Sequence, residues 1–140
     1  MALAGNAPGY SGKPLAAKLG IGGGATVLAL NAPDDYAAWL APLPPGARIV
    51  PRPAAGLRFV HLFVSERSKL AAALLIYRES LAADAVLWVS WPKKAAKVTT
   101  DITEDTIREL ALPLGWVDVK VCAVSEVWSG LKLVVRKALR

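Results

Sequence analysis

"GIGGGATVLALNAPDD", residues 20–35, decides how this chain folds. Within it Gly20-x-Gly22-x-x-Ala25 satisfies the loose dinucleotide-binding spacing. The run "ATVLALN" that follows is β-branched and apolar without alternation, as in a strand covered on both faces of a parallel sheet. A phosphate-binding glycine loop must leave a strand and open a helix, because backbone N–H groups and the helix N-terminus have to point at the anion. Here the glycines enter the strand instead. They read as the stop of a preceding helix and a flexible turn, at the end of the sheet away from ligands. The turn that leaves the strand, "NAPDD", has no glycine and carries two carboxylates that repel phosphate. A Walker-type loop fails as well, since Gly12-Lys13 has Ala7 where the first glycine belongs and Pro14 where Ser or Thr belongs.

Outward from this stretch, helices and strands alternate. "YSGKPLAAKLG" predicts a short helix with Ser11 or Gly12 as cap, Pro14 in its first turn, and Leu15 and Leu19 on its buried side. After the first strand, "PDDYAAWLAPL" places Tyr36, Trp39 and Leu40 at helical spacing until the prolines at 42, 44 and 45 end the helix. "ARIVP" is a short second strand and "LRFVHLFV" a third. Ser65 stands where a cap belongs, ahead of Leu70, Leu74, Tyr77 and Leu81 at spacings of four and three. "AVLWVSW" is the fourth strand. Thr103 caps a further helix with Glu104 and Asp105 in its first turn, Ile102 and Ile107 as a hydrophobic staple, and Ile107, Leu110, Ala111 and Leu114 as the buried stripe before Gly115. "VDVKVCAV" and "LKLVVR" alternate and read as a hairpin joined by "SEVWSG", with Asp118 and Lys120 guarding an outer edge. The expectation is an α/β, three-layer Rossmann-like domain, with a mainly parallel sheet of about six strands and a C-terminal antiparallel hairpin.

Composition agrees with one domain over residues 1–140, residues 1–10 forming a mobile lead. Apolar residues are 54% of the chain and charged residues 20%, unlike a disordered protein. The single cysteine, Cys122, excludes an intramolecular disulfide and Cys-based zinc sites and fits a reducing cytoplasm. No apolar run approaches the roughly 20 residues that cross a bilayer, and the first residues lack the pattern of a secretory signal, so a cytoplasmic protein without membrane association is expected. Seventeen Lys and Arg against eleven acids give a net charge of +6, spread along the chain, which favours an anionic partner.

This order of elements resembles a shortened class I S-adenosylmethionine-dependent methyltransferase fold, terminal hairpin included. In that fold the first strand runs into a glycine-rich loop and an acid at the end of the second strand holds the ribose; this chain offers "NAPDD" and Arg52 at those places. The residues therefore predict no cofactor, S-adenosylmethionine included. Over Tyr10 to Arg136, "GYSGKPLAAKLGI", "LWVSWPKK", "TDITEDTIRELALPLGWVDVKVCAV" and "WSGLKLV" resemble a family of small bacterial proteins described only as a domain of unknown function. That resemblance implies a fold and a bacterial origin, and no activity.

In open α/β sheets ligands bind beyond the carboxyl ends of the strands, where strand order reverses. The first strand delivers Asn31, Asp34 and Asp35 there, the third Ser65, Glu66 and Arg67, and the fourth Ser90, Trp91, Lys93 and Lys94. A hairpin placed as in methyltransferases adds Glu126, Trp128 and Ser129. Such a set could hold a small aromatic or anionic molecule, with a ring between Trp91 and Trp128 and its charge on a lysine. The competing reading makes the tryptophans caps on the core and the lysines solvated loop charges. Catalysis has little support, so enzyme activity stays open. His61, the one histidine, lies inside the third strand and reads as a hydrogen-bonded core residue. Asp34 and Asp35 read as dipole complements at a helix start rather than metal ligands, and Cys122 as a packing residue. Thr99, Thr100, Asp101 and Thr103 could line a phosphate site. Two functions remain: a non-catalytic or degenerate methyltransferase-like domain that binds a small ligand at the rim, or an interaction module that docks on a protein or nucleic acid through a basic, tryptophan-bearing surface. A deep pocket between the first and third strands would mark the former, and a filled rim with an exposed apolar patch the latter. No nucleic-acid-binding motif is present, so nucleic acid is not the expected partner.

Overall fold

The structure is a computed structural model that describes residues 13–140. The expectations for residues 1–10 and for a cap at Ser11 or Gly12 lie outside the described residues. Strands β1 (Thr26–Leu30), β2 (Arg48–Val50), β3 (Phe59–Phe63), β4 (Val86–Pro92), β5 (Trp116–Ala123) and β6 (Trp128–Val135) form one sheet in the order β2-β1-β3-β4-β6-β5. The first four run parallel, and β6 lies antiparallel between β4 and β5. From β1 the chain passes to β2 on one side and then back to β3 on the other, so strand order reverses between β1 and β3. The expected Rossmann-like, mainly parallel fold with a terminal antiparallel pair is the one observed.

Alternate residues along each strand feed two cores, because successive side chains point to opposite faces. On one face Leu28, Val60, Leu62, Leu87, Val89 and Trp91 pack with Leu70 and Leu74 of α3 (Arg67–Ser80) and with Ile107 and Ala111 of α4 (Glu104–Ala111). On the other, Val27, Phe59, Phe63 and Trp88 pack with Leu15 and Leu19 of α1 (Leu15–Leu19) and with Tyr36 and Leu40 of α2 (Tyr36–Leu40). Helices as short as α1 and α2 are not stable alone and owe their existence to these buried faces. No helix among the described residues is long and apolar enough to cross a membrane.

The glycine bend sits where the sequence puts it, entering β1. Gly20 ends α1 in the left-handed region at φ +82°, and the next N–H, of Ile21, donates back to the Ala16 carbonyl at 3.0 Å. Gly24 donates to the Pro45 carbonyl at 2.9 Å, fixing the bend against the turn that precedes β2. These backbone groups serve the scaffold.

Four local expectations are corrected. Pro14 is not in the first turn of α1 but just before it, with ψ 147°, and its carbonyl accepts the helix's first bond, from Lys18 N–H. Ser65 does not cap α3. The cap position is Glu66, whose side chain makes no capping bond; the N–H of Arg67 is met instead by the Asp101 carboxylate at 2.6 Å, from the loop before α4. The hairpin turn is shorter than "SEVWSG", for β6 already begins at Trp128 and contains Ser129 and Gly130. Finally, strict alternation fails in β5, where a bulge between Asp118 and Lys120 leaves Val119, Lys120 and Val121 all exposed. Asp118 is turned back to Arg108 of α4 at 2.9 Å. By contrast, the Thr103 cap is complete: a capping box with Thr106 opens α4, and Ile102 and Ile107 are both buried as a staple.

Candidate functional site

Where β1 ends, Asn31 takes a positive φ of 57°, which turns the chain sharply off the sheet. Asparagine is the non-glycine residue most tolerant of this conformation. The turn opens a cleft of about 240 Å³ between the carboxyl ends of β1 and β3, at the point where strand order reverses. Asn31, Phe63, Val64, Ser65, Glu66, Lys69 and Trp128 line it. Trp128 arrives from β6 and is half-buried, with its ring edge-to-face against Phe63 at 5.1 Å between centroids. At the mouth, Lys69 pairs with Glu66 at 2.8 Å, and hydrogen bonding to that carboxylate raises the lysine pKa above its ordinary value. The cleft thus offers an aromatic wall, an amide, a hydroxyl and one charge of each sign.

Of the residues expected at the rim, the cleft gathers Asn31, Ser65, Glu66 and Trp128. Asp34 and Asp35 are exposed in the turn before α2; Asp35 holds the cap position of that helix without a side-chain bond to it. Arg67 is directed to α4, where its guanidinium lies 3.4 Å from Glu109. Lys93 ties the exit of β4 to the hairpin turn through its N–H, 2.7 Å from the Val127 carbonyl. Ser129 is half-buried in β6 opposite Trp91. Trp91 and Lys94 line a second cleft, on the face that carries α3 and α4. Hence no ring can be sandwiched between Trp91 and Trp128. Trp128 pairs with Pro92 and Ser129 with Trp91, so the two indoles project to opposite faces of the sheet.

Sequence reasoning missed Lys69, along with Phe63 and Val64. The signal was available for Lys69: a residue in the first turn of a helix that directly follows a strand is carried to the same rim as that strand's end. The loop of Thr100, Asp101 and Thr103 is spent on structure rather than on phosphate. Thr100 donates to the Ser65 carbonyl at 2.7 Å, Asp101 meets the Arg67 N–H, and Thr103 is held in its capping box.

His61 is fully buried in mid-strand, as expected of a core histidine. One ring nitrogen lies 2.8 Å from the Tyr36 hydroxyl and the other 2.8 Å from Ser90 Oγ, and Phe63 stacks on the ring at 4.4 Å. Burial pushes the imidazole pKa down to about 3 and raises that of the Tyr36 phenol, so both groups are neutral. The constellation has the atoms of a nucleophile and base, yet Ser90 and His61 are both 0% exposed and no substrate reaches them. Cys122 is buried and its thiol pKa is raised by desolvation, the state of a packing residue. Among the described residues no three His, Cys, Asp or Glu side chains group as metal ligands.

No protein-family model matches the sequence, and no curated protein is similar to it. Solved structures are similar in fold. Aeropyrum pernix fibrillarin, in complex with natively bound S-adenosyl-L-methionine, superposes with a TM-score of 0.58 at 14% identity, over 87% of this chain and 69% of that one. A point variant of LepI, in complex with SAH and a substrate analogue, gives 0.53 at 16% identity over 87% of this chain. A pericyclic reaction enzyme gives 0.51 at 13% identity, over 89% of this chain and 47% of that one. The chain spans 39% of the length of LepI. At these identities the likeness is one of architecture, and the architecture is that of methyltransferase-like Rossmann domains.

Proposed function

We propose that this chain is a ligand-binding domain of methyltransferase-like fold, which holds a small aromatic or anionic molecule in the cleft between the ends of β1 and β3. The observation that carries the reading is the cleft itself, at the reversal of strand order, with Asn31, Ser65, Lys69 and Trp128 as its polar and aromatic lining. Trp128 supplies a face for a planar ring, Asn31 and Ser65 supply hydrogen bonds, and Lys69 supplies the counter-charge.

S-adenosylmethionine and SAH, held by the similar structures, fit only in part. The positive φ at Asn31 reproduces a tight exit from the first strand. Beyond β2, however, the chain reads Pro51, Arg52, Pro53 and offers no carboxylate for a ribose. A cleft of about 240 Å³ also lies below the roughly 300 Å³ at which pockets for drug-sized ligands begin. The small cleft and the missing carboxylate favour an occupant smaller than the whole cofactor, and no methyl transfer is assigned.

Calorimetric titration with benzoate, phenyl phosphate, phenylalanine and SAH tests this. Binding by at least one of the three small molecules, with SAH weaker, is expected. Lys69→Ala should weaken an anionic binder about fivefold, near the upper limit for an exposed ion pair, and Trp128→Ala should weaken an aromatic one by more. Binding of SAH alone, or no binding by any of the four, contradicts the reading.

A further inference from the structure

The switch-point cleft carries its charge as a pair. Glu66 and Lys69 stand one turn apart at the start of α3 and both line the cleft, with 2.8 Å between carboxylate and ammonium. The Glu66 side chain makes no capping bond to the helix, and Lys69 is what holds it. An ammonium already paired in this way is costly for a lone anion to use. A ligand with a single negative group must part the two side chains to reach Lys69, and it then leaves the Glu66 carboxylate unpaired beside a like charge. The other charges nearby do not help such a ligand. Arg67 is turned to Glu109, its N–H is already met by the Asp101 carboxylate, and the turn leaving β1 adds Asp34 and Asp35, both exposed.

A ligand that brings both signs avoids this cost. Its ammonium takes the place of Lys69 at Glu66 while its carboxylate takes the place of Glu66 at Lys69, so one ion pair is exchanged for two. In an α-amino acid the two groups sit on one carbon, close enough to lie head to tail against charges 2.8 Å apart. Phe63 and Trp128, edge to face at 5.1 Å between centroids, form the wall beside which its side chain would rest.

We infer that the ligand of the switch-point cleft is a free α-amino acid with an aromatic side chain: its ammonium on Glu66, its carboxylate on Lys69 and its ring against Trp128. This rests on the reading of that cleft as the binding site, and it narrows the occupant from aromatic or anionic molecules in general to an aromatic zwitterion.

Three probes with the same ring test it by calorimetric titration of the full chain at pH 7 and low salt: phenylalanine with both charges, 3-phenylpropionate with the carboxylate alone and phenethylamine with the ammonium alone. Phenylalanine is expected to bind about fivefold more tightly than either, the most that one extra exposed ion pair supplies. Glu66→Gln should abolish its advantage over 3-phenylpropionate, and Lys69→Gln its advantage over phenethylamine. Equal or tighter binding of either singly charged probe to the wild-type protein overturns the inference and leaves the cleft standing as a site. An advantage that survives both substitutions also overturns it. So does silence from all three probes, and the cleft itself falls with the inference only if benzoate and phenyl phosphate are silent too.

Discussion

His61 carries more of the fold than its position in a run of apolar residues suggests. The neutral ring accepts at one nitrogen and donates at the other, joining Tyr36 of α2 to Ser90 of β4 through the centre of the sheet. Replacing it by Leu leaves two buried hydroxyls without partners, at roughly 1–3 kcal/mol each. His61→Leu is therefore expected to lower the unfolding free energy in urea by about 3 kcal/mol. The triple variant Tyr36→Phe, His61→Leu, Ser90→Ala removes all the polar partners together and should recover at least half of that loss. The same site sets a pH dependence. The folded imidazole pKa is pushed down to about 3 from 6.5, so between these values the unfolded chain holds the extra proton and stability falls as pH falls. Above pH 6.5 the contribution is complete. From pH 6.5 to pH 5, before carboxylates dominate, it should cost about 2 kcal/mol in the wild type, at roughly 1.4 kcal/mol per pH unit, and His61→Leu should lack this slope.

Between elements, the start of α3 depends on a residue that the chain delivers from elsewhere. Ser65 has the identity of a cap but spends its carbonyl on Thr100 and Asp101, while the Asp101 carboxylate receives the Arg67 N–H. Asp101→Ala should then cost about 1 kcal/mol in thermal or urea unfolding, and Ser65→Ala only a few tenths. An equal or reversed pair of losses would return the cap to Ser65. The glycine bend makes an opposite prediction. Gly22 has no positive φ, and a Cβ built on it meets nothing within 4 Å. Gly22→Ala is expected to stabilise the fold by about half a kcal/mol, through the unfolded chain, and to leave ligand binding untouched. Gly46, which lies at φ +77° with its added Cβ 3.3 Å from Gly24, should not tolerate the same change.

Across the whole molecule, the mainly parallel sheet with its terminal antiparallel pair was legible because it follows from the alternation of elements and from the handedness of crossovers, which "ATVLALN", "LRFVHLFV" and "AVLWVSW" carry in their hydrophobic patterns; the strand order and the place of the hairpin beside β4 came from the structure. The rim was legible to the level of which strand delivers which residue, as Asn31, Ser65 and Trp128 show. Which face of the sheet a rim residue points to was not, because it depends on register: Trp128 lies opposite Pro92, one residue from Trp91, and that single step sends the two indoles apart. The bulge at Val119 and the cap from Asp101 were hidden for a similar reason, since both are pairings between distant segments with no local signature. The central claim is that recognition belongs to the turn leaving β1, while the glycine bend entering it is scaffold. Amide-resolved NMR mapping with whichever of benzoate, phenyl phosphate or phenylalanine binds most tightly tests it directly. Shifts centred on Asn31, Ser65, Lys69 and Trp128, with Gly20 to Gly24 unmoved, are predicted; shifts centred on those glycines, or none at the β1 exit, would contradict it.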